Sequence, residues 1–484
     1  MQLREIIDGL DATIKGTTDM DIKGISYDSR LVKEGYLFVA IVGFKTDGHE
    51  FVQQAIEKGA AAVVVSKAVV TDQVSVIEVA DSRQALAKVA ANYYQHPSRQ
   101  LKLFGITGTN GKTTTCHLTA AIFNEMGYKV GILGTIGNWI NEKKLETGRT
   151  TPESLDLQQL LRDMVDAGVT HVVMEVSSHA LELCRVDEVF FRGAVFTNLS
   201  QDHLDFHPSL KDYLQAKGKL FQQLSREVAN SYGIANADDD SLNYLQSITE
   251  VPLITYGQTA GVEVRAENIS LDLRGVKFSI KHGQDTFKLA LRMPGLFSVY
   301  NATAAAAVAL QEGVPSHVII KALEKVKGVN GRFEQVEGGQ NYTVIVDYAH
   351  TPDSLENVLQ AARQFVSNRL ITVFGCGGDR DRSKRPLMGT VAGKFSDYTI
   401  ITSDNPRSEE PEAIIKDILP GVQQFTGNYK VIINRRDAIA HALDYAKEGD
   451  TVIIAGKGHE TYQEIKGKTF DFDDKAVVRE LLRG

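Results

Sequence analysis

A glycine-rich loop between a predicted strand and a predicted helix constrains this chain more than any other feature. The strand covers Leu101–Thr107, and the helical pattern that follows the loop runs through Glu125. Glycines let backbone N–H groups curl around phosphate oxygens, while Lys112 can reach the terminal phosphates and the Thr113 hydroxyl can hold Mg²⁺. The strict phosphate-loop spacing would need a glycine at Ile106. The strand–loop–helix order still favours a nucleotide-phosphate site over an unliganded glycine turn, and the motif itself favours ATP over GTP only weakly.

The rest of the chain alternates short β-branched runs with helical-period stretches, which predicts α/β layers with mostly parallel sheets. A chain of 484 residues is too long for one core, and about 150 residues per domain gives about three domains. We expect a first domain over residues 1–98, which ends where Pro97 interrupts a helical pattern. A central domain over 99–330 carries an appended antiparallel sheet within 262–293, and a Rossmann-like domain covers 331–484.

Charge and cysteine content exclude several classes of protein. The net charge is -8, from 53 Lys+Arg against 61 Asp+Glu, so we do not expect binding to nucleic acid or to an anionic membrane. Cys116, Cys184 and Cys376 lie far apart, which argues against a disulfide framework or a cysteine zinc site and fits a reducing cytoplasm. No apolar signal core opens the chain, and no apolar run reaches the ~18 to 20 residues of a membrane span. We expect a cytoplasmic monomer.

Polar clusters follow the predicted strands, and ligands of doubly wound sheets bind beyond the carboxyl ends of strands. Glu175 ends a buried run and is either a Mg²⁺ ligand or water-positioning group, or a hydrogen-bonded strand-end carboxylate. The segment 197–207 holds two histidines and two aspartates, for which a capping or core role outweighs zinc binding. Lys217 would ordinarily be a solvated helix lysine. Four more polar loops follow strands at Asp347–Asp353, Gly375–Pro386, Asp404–Arg407 and Gly456–Glu460.

These motifs together resemble the Mur ligase family over nearly the whole chain. The matching segments are residues 108–114, Met174–His179, Asn198–His207, Asn301, Gly331–Glu334, Asp347–Asp353 and Asp404–Arg407. The first block resembles the uridine-nucleotide domain of that family through Tyr27–Arg30, Gly35–Phe38 and Asp47–His49.

The resemblance implies an activity of the members that add the third amino acid. ATP phosphorylates the D-Glu side-chain carboxylate of UDP-MurNAc-L-Ala-D-Glu, an incoming amine attacks the acyl phosphate, and phosphate leaves from a tetrahedral intermediate in peptidoglycan precursor synthesis. A carboxylate is a poor electrophile, so phosphate becomes its leaving group, and Mg²⁺ with nearby cations offsets the charge that gathers there. The implied ligands are therefore ATP, Mg²⁺ and small-molecule substrates.

The resemblance also assigns catalytic and ATP-binding residues. Lys112 and Thr113 would hold phosphate and Mg²⁺, while Glu175 and His203 would serve a second Mg²⁺. The ATP-binding set is Gly108, Thr109, Asn110, Gly111, Lys112, Thr113, Thr114, Asn301 and Arg332. Lys217 matches the lysine that this family carbamylates, which turns a cation into an anionic metal ligand. Lys219 is the competing assignment, but the alanine before Lys217 favours Lys217.

The remaining implied contacts concern the two acceptor substrates. UDP-MurNAc-dipeptide would be held by Ser29, which contacts the uridine part, and by Thr150, Thr151, Ser177 and Arg185. Leu183 stands where some members use a glutamine for this substrate, so no contact is expected from it.

The segment Asp404, Asn405, Pro406 and Arg407 implies which amino acid is added. In the family an arginine at this place accompanies meso-diaminopimelate, whose second carboxylate it can bind through two parallel hydrogen bonds. Lysine lacks that carboxylate. Arg380 would assist with the carboxylate, and Gly456 and Glu460 with the ammonium; the alternative is that Arg407 is a solvated loop arginine.

Three rival functions remain to be separated. Folylpolyglutamate synthetase shares the chemistry of the second and third blocks but normally lacks a separate domain before the phosphate loop. A P-loop GTPase or motor would need an Asp-x-x-Gly or Asn-Lys-x-Asp element in a suitable place, which we do not find. A non-catalytic nucleotide-binding regulator would not need the lysine, metal and substrate positions that this chain retains.

Overall fold

The computed structural model describes residues 1–43, 46–145, 148–224, 228–272, 274–425 and 427–483. Within these residues the chain forms three α/β sheets of five, eleven and six strands and a separate two-stranded hairpin. The predicted α/β architecture with mostly parallel sheets is confirmed. Among the helices of these ranges, none is both long enough and apolar enough to cross a membrane.

The N-terminal sheet has the strand order β1-β5-β4-β3-β2, with only β1 running antiparallel to its neighbour. Its strands are β1 (Ala12–Lys15), β2 (Gly24–Ser26), β3 (Tyr36–Val39), β4 (Ala60–Val65) and β5 (Ser75–Val79). The helices are α1 (Leu3–Ile6), α2 (Val52–Glu57) and α3 (Ser82–Tyr93), with 3-10 turns at Ser29–Leu31, Gly48–Phe51 and Pro97–Gln100. Strand β4 is almost wholly buried, because apolar residues cover both of its faces.

The central sheet has the strand order β16-β15-β14-β13-β12-β11-β6-β10-β7-β8-β9. Its parallel part holds β6 (Lys102–Thr107), β7 (Val130–Gly134), β10 (His171–Glu175), β11 (Gly193–Phe196), β12 (Tyr232–Asn236) and β13 (Leu253–Gly257). The outer strands are β8 (Gly137–Ile140), β9 (Lys143–Leu145), β14 (Val264–Asp272), β15 (Gly275–His282) and β16 (Asp285–Leu291). The helices are α4 (Lys112–Glu125), α5 (Ser154–Asp166), α6 (Ser178–Glu182), α7 (Leu210–Gln222), α8 (Leu242–Ile248), α9 (Leu296–Gln311) and α10 (Ser316–Lys325).

The predicted antiparallel strands of this domain are continuous with the parallel sheet. Strand β14 pairs in parallel with β13 and antiparallel with β15, so one sheet changes direction there. At its other end β7 turns into the antiparallel strands β8 and β9, which the sequence analysis did not predict. In the middle, β6 lies between β11 and β10. The loops that follow these three strands therefore meet at one edge.

The C-terminal sheet has the strand order β17-β18-β22-β19-β20-β21, in which β17 alone is antiparallel. Its strands are β17 (Glu334–Gln335), β18 (Thr343–Asp347), β19 (Leu370–Phe374), β20 (Tyr398–Ile401), β21 (Tyr429–Val431) and β22 (Thr451–Ala455), and β23 (Tyr462–Ile465) and β24 (Lys468–Asp471) form the hairpin. The helices are α11 (Pro352–Arg363), α12 (Lys384–Phe395), α13 (Pro411–Gln423), α14 (Arg435–Tyr445) and α15 (Asp474–Arg483). The four predicted polar loops follow β18, β19, β20 and β22, which are neighbours.

Each sheet has apolar layers on both faces, as a doubly wound fold requires. In the central domain α9 packs against α4 through a run of small buried residues, Ala302–Ala309. Small side chains let two helix backbones approach closely. This contact fixes α4, and with it the phosphate loop at its N-terminus.

Candidate active site

A polar cavity of about 300 Å³ lies where the carboxyl-end edges of the central and C-terminal sheets face each other. We call it the central cavity. The predicted residues that line it are Thr109, Asn110, Gly111, Lys112, Thr113, Thr150, Glu175, Ser177, His203, Lys217, Arg332, Arg380, Asp404, Asn405, Arg407, Gly456 and Glu460. Residues that are far apart in the sequence and were assigned to phosphate, metal and amino acid thus share one space.

The phosphate loop has the backbone conformation that its glycines allow. Gly108 and Gly111 have φ values of 140° and 86°, which disfavour residues with a side chain. A Cβ atom at Gly111 would lie 2.3 Å from the Asn301 Oδ1 atom. The Lys112 ammonium donates to the carbonyl oxygens of Gly108 at 2.9 Å and Thr109 at 2.8 Å. These bonds hold it at the mouth of the loop, and burial lowers its pKa.

Glu175 ends β10 beside this loop and is buried. Its Oε2 atom accepts from the Thr113 hydroxyl at 2.9 Å, and its Oε1 atom accepts from the Thr135 N–H at 2.8 Å. Arg332, from the C-terminal domain, donates to the same Thr113 hydroxyl across 3.1 Å. Glu175 is therefore a hydrogen-bonded strand-end carboxylate, and it also lines the cavity.

Thr113 and Glu175 fit a magnesium ion, because both present buried oxygen atoms and Mg²⁺ prefers oxygen ligands. Within the described ranges, no three His, Cys, Asp or Glu side chains converge as a metal-binding group. Protein-bound Mg²⁺ commonly completes its shell with water and substrate phosphates. The donors present are thus suited to a metal that arrives with a nucleotide rather than to a metal held by protein alone.

Lys217 on α7 is buried, so the ordinary expectation of a solvated helix lysine is wrong for this residue. Its side chain is 1% exposed, its Nζ atom donates to the Gly108 carbonyl oxygen across 2.8 Å, and it lies over the Tyr213 ring. Burial, helped by the nearby Lys112 charge, lowers its pKa well below the usual range. By contrast Lys219 is 42% exposed and pairs with Glu182 at 2.8 Å. Burial thus distinguishes the two lysines that the sequence left in competition.

Asp202 forms a charged centre next to Lys217 that sequence reasoning did not single out as a site residue. Its carboxylate lies 3.3 Å from the His203 Nε2 atom, 3.5 Å from the Lys384 Nζ atom and 4.0 Å from the His350 Nε2 atom. Burial acts to raise the pKa of Asp202, but these neighbours lower it overall. Burial also lowers the pKa of His203 well below its usual range. His203 therefore presents a neutral imidazole. Lys384, which belongs to the C-terminal domain, places its positive charge beside the Asp202 carboxylate of the central domain.

A second cavity of about 330 Å³ adjoins the phosphate loop, and we call it the nucleotide cavity. Its lining includes the predicted residues Asn110, Gly111, Thr113, Thr114, Asn301 and Arg332. The structure adds Tyr300, whose hydroxyl donates to Asp238 at 2.8 Å, and Asp347 at the end of β18. Burial raises the pKa of Asp347 to about 6, although two backbone N–H groups bond to it.

The residues expected to hold the UDP-linked substrate are only partly brought together. Thr150 and Ser177 line the central cavity. Thr151 lies behind them, where its hydroxyl donates to the Glu175 carbonyl oxygen at 2.8 Å, and Arg185 donates to the Thr151 carbonyl oxygen at 3.2 Å. Ser29 belongs to the N-terminal domain, where it donates to Gln54 at 2.7 Å.

The C-terminal side of the central cavity carries both charge types. Arg380 and Arg407 lie there with the carboxylates of Asp404 and Glu460. Arg407 has a φ of 52°, and its Nη1 atom donates to the Gly378 carbonyl oxygen at 2.7 Å. Its backbone is paired with β23, since its N–H donates to the Glu464 carbonyl oxygen at 3.0 Å. Arg407 is thus a fixed residue, which argues against a solvated loop arginine.

Pro406 contacts the neighbouring loop at Gly378 through its backbone carbonyl group. A Cβ atom at Gly378 would lie 1.9 Å from the Pro406 carbonyl oxygen, so the two loops touch only because Gly378 lacks a side chain. Two buried cations next to this side of the cavity were not predicted: Lys457, which donates to Asn405, and Arg435, which lies 4.0 Å from Asp404. A lysine and an arginine near strand ends give no sequence signal of burial.

Comparison with known proteins agrees with this geometry. Three family models match: the Mur ligase family catalytic domain over residues 21–94, the Mur ligase middle domain over 106–309 and the Mur ligase glutamate ligase domain over 331–458. A relative from Syntrophomonas wolfei subsp. wolfei, named UDP-N-acetylmuramoyl-L-alanyl-D-glutamate--2,6-diaminopimelate ligase, is 48% identical over 487 residues and covers 100% of this chain and 99% of its own length.

Solved structures show the same relationship. A UDP-N-acetylmuramoyl-L-alanyl-D-glutamate--2,6-diaminopimelate ligase structure has a TM-score of 0.69 at 34% identity, with 100% of this chain and 98% of that chain covered. A Mycobacterium tuberculosis folylpolyglutamate synthase shares the fold, with a TM-score of 0.65 at 16% identity over 82% of this chain and 95% of that chain. The models together cover most of the chain, and the relative matches its full length. The chain belongs to the Mur ligase family.

Proposed function

We propose that this protein is an ATP-dependent ligase that joins meso-diaminopimelate to UDP-MurNAc-L-Ala-D-Glu in peptidoglycan precursor synthesis. The observation that carries the proposal is that Arg407 and Glu460 line the same cavity as the phosphate loop and Lys217. An amino acid with a distal carboxylate and a distal ammonium would therefore meet complementary charges within reach of a phosphorylated intermediate. The name of the 48% identical relative gives the same acceptor and gives 2,6-diaminopimelate as the amino acid.

The chemistry needs the D-Glu carboxylate to be activated. Its oxygen attacks the γ-phosphorus of ATP, the bond to the bridging oxygen breaks, and ADP leaves with an acyl phosphate remaining. The neutral amine of the incoming amino acid then adds to the acyl carbon and loses a proton, and the carbon–oxygen bond to phosphate breaks as the amide forms. Lys112 and the loop N–H groups stabilise the transferred phosphoryl group, because preorganised cations cost no rearrangement at the moment of reaction.

Arg332 would couple ATP binding to the contact between the central and C-terminal domains. It comes from the C-terminal domain, donates to Thr113 of the phosphate loop at 3.1 Å and stacks over the Tyr348 ring. Across the same boundary the Gln201 amide donates to the Ser383 hydroxyl at 3.1 Å. These contacts join the two domains beside the cavity, and such closure would limit the access of water to an acyl phosphate.

Thr113 would hold one magnesium ion with the phosphates, and Glu175, His203 and Lys217 would serve a second. When bound, it offsets the negative charge that gathers between the phosphates and the acceptor carboxylate. A free ammonium at Lys217 cannot serve as a metal ligand. Its lowered pKa favours the neutral amine, whose lone pair adds to the carbon of CO₂ while one proton is released. The resulting N6-carboxylysine presents an anionic oxygen.

The three parts of the chain would then divide the substrates among them. We propose that residues 1–98 bind the uridine end through Ser29, that residues 99–330 bind ATP and the peptide end, and that residues 331–484 bind the amino acid. Thr150, Thr151, Ser177 and Arg185 would hold the muramoyl dipeptide between the first two parts. We further propose that the protein works as a monomer in the cytoplasm.

The test is ADP release by the purified protein with ATP, Mg²⁺ and UDP-MurNAc-L-Ala-D-Glu, with and without meso-diaminopimelate. We expect release to depend on both acceptors and to match the amount of UDP-MurNAc-tripeptide formed. Release that needs neither acceptor would favour a nucleotide switch, and turnover that needs a folate would favour folylpolyglutamate synthesis. Either result would contradict the proposal.

A further inference from the structure

Lys457 is a fully buried lysine directly behind the amino-acid side of the central cavity. Its side chain is 0% exposed, and its Nζ atom donates to Asn405 Oδ1 across 3.0 Å and to Glu460 Oε2 across 3.1 Å. A buried charge is costly unless it is paired and hydrogen-bonded. Both partners line the cavity, so any effect of Lys457 on a bound ligand passes through them.

The hydrogen bonds of this group fix the direction of each polar atom. Asn405 Oδ1 faces the Lys457 ammonium and the Glu464 N–H at 3.0 Å, which turns the Asn405 Nδ2 atom toward Glu460 Oε2 at 2.8 Å. Two donors therefore occupy Glu460 Oε2. Its other oxygen, Oε1, has only the Tyr348 hydroxyl at 3.5 Å among the contacts of the described residues. That oxygen is the one available to a ligand ammonium.

Charge at Glu460 is set by a balance of neighbours. Burial and the nearby Asp404 carboxylate raise the pKa of Glu460 overall, and Lys457 and the Asn405 amide act against that rise. Asp404 also has Arg435 at 4.0 Å, and Arg435 is itself paired with Asp474 at 2.7 Å. The other titratable or charged groups facing Glu460 are Tyr348, Tyr462, Arg435 and Arg407. Lys457 is the one cation among these groups that hydrogen-bonds directly to Glu460.

We propose that Lys457 is a positioning residue that keeps Glu460 charged and aims its Oε1 atom at the distal ammonium of the incoming amino acid. The inference rests on the proposed function. Lys457 and Glu460 together would select an amino acid with a cationic distal group, and of the two only Glu460 would touch the ligand. Arg407 would select the distal carboxylate separately.

The test is the pH dependence of the KM for meso-diaminopimelate in Lys457→Met. Near pH 7 we expect this KM to rise about tenfold, the effect of losing one charge-assisted hydrogen bond. Because Glu460 would ionise only at higher pH in this variant, the KM should fall back toward that of the unmodified protein by about pH 9. The KM for ATP should not change. Glu460→Gln, which cannot ionise, should show a raised KM that stays constant with pH.

Three results would overturn the inference: an unchanged KM for the amino acid, a KM raised by the same factor at every pH, or an equal rise in the KM for ATP. Should Lys457→Met not fold, Lys457→Gln, which is shorter and still a donor, is measured with the same expectation. An unmodified protein that never uses meso-diaminopimelate would contradict the proposed function itself. A fully active unmodified protein with a pH-independent Lys457→Met defect would contradict only this inference.

Discussion

The Lys217 Nζ atom donates a hydrogen bond to the Gly108 carbonyl oxygen across 2.8 Å, which joins α7 to the start of the phosphate loop. This contact places the Lys217 amine beside the phosphate loop, although the two residues are separated by 109 positions in the sequence. A lysine that is 1% exposed and next to another cation has its pKa lowered. Neutral amines, and not ammonium ions, react with CO₂.

The first prediction follows from that amine. Lys217→Ala should lower kcat by about a hundredfold or more, the usual effect of removing one preorganised electrostatic group from an active site. Activity of the unmodified protein should fall when CO₂ is purged from the buffer and return when bicarbonate is added. The matched control is Lys219→Ala, because Lys219 is 42% exposed, and its activity should stay within about twofold of the parent. Bicarbonate-independent activity would contradict carbamylation.

The second prediction concerns Glu153, which is buried where the N-terminal and central domains meet. Its carboxylate lies 2.9 Å from the Arg185 Nε atom and 3.4 Å from Arg83 Nη1 of the N-terminal domain. Glu153→Gln should raise the KM for UDP-MurNAc-L-Ala-D-Glu about tenfold, because Arg185 loses its ionic partner. The KM for ATP should not change, since the nucleotide cavity is separate from this pair.

Asp156 supplies the matched control for Glu153. It lies one helical turn further along α5 and accepts a hydrogen bond from the N-terminal Tyr27 hydroxyl at 2.7 Å. Asp156→Ala removes a second link between the same two domains without touching Arg185. If domain docking alone mattered, both variants would raise the KM equally. We expect Asp156→Ala to change it by less than about twofold.

The third prediction tests the arginine of the amino-acid pocket. Arg407→Ala should raise the KM for meso-diaminopimelate by about a hundredfold, since a bidentate pair between an arginine and a carboxylate is among the stronger polar interactions. ATP affinity, measured by calorimetry, should stay within about threefold of the parent. Arg407→Lys should recover little, because an ammonium cannot form two parallel hydrogen bonds. Arg382→Ala is the control, at a side chain 66% exposed in the neighbouring loop.

The fourth prediction concerns stability and pH through His171. This residue is buried, stacks on Tyr128 with ring centroids 4.0 Å apart and lies at the start of β10, at the opposite end of the strand from Glu175. Burial, helped by Lys102, lowers the pKa of His171 to about 4. As the pH falls, His171 takes up a proton near pH 6.5 in the unfolded chain but only near pH 4 in the folded chain. The contribution of His171 to the free energy of unfolding is therefore complete above pH 6.5 and is lost as the pH falls toward 4.

The expected size is on the order of 3 kcal/mol across that interval. His171→Phe should therefore lose less stability than the parent between about pH 6.5 and pH 4, as measured by urea unfolding at several pH values. The difference between the two proteins is the informative quantity, because other groups titrate in both. Parallel stability curves would contradict a neutral buried imidazole.

Strand and helix periods were sufficient to predict the fold class and the edge at which the site lies. The loops after β6, β10, β18, β19, β20 and β22 hold most of the predicted residues, because parallel strands deliver their carboxyl ends to one edge. The antiparallel strands β8 and β9 were missed because Gly137–Ile140 is too short to show a period. The continuity of β14 with β13 depends on pairing between strands, which no local pattern records.

The burial of charged side chains could not be predicted from the sequence either. Lys217, Lys457 and Arg435 are each at most 1% exposed, yet lysine and arginine on helices and loops are usually solvated. Their burial is explained only by their partners in the folded chain, which are the Gly108 carbonyl oxygen for Lys217, Asn405 and Glu460 for Lys457, and Asp474 for Arg435. The separation of Ser29 from the central cavity likewise depends on how the N-terminal domain sits against the central one.

The central claim is that the chain adds an amino acid with both a distal carboxylate and a distal ammonium. The most direct measurement compares kcat/KM of the unmodified protein for meso-diaminopimelate and for L-lysine, with ATP, Mg²⁺ and UDP-MurNAc-L-Ala-D-Glu at fixed saturating concentrations. Sites built to bind a polar group reject analogues that lack it, so we predict a preference of about a thousandfold or more for meso-diaminopimelate. Equal values for the two amino acids would contradict the account.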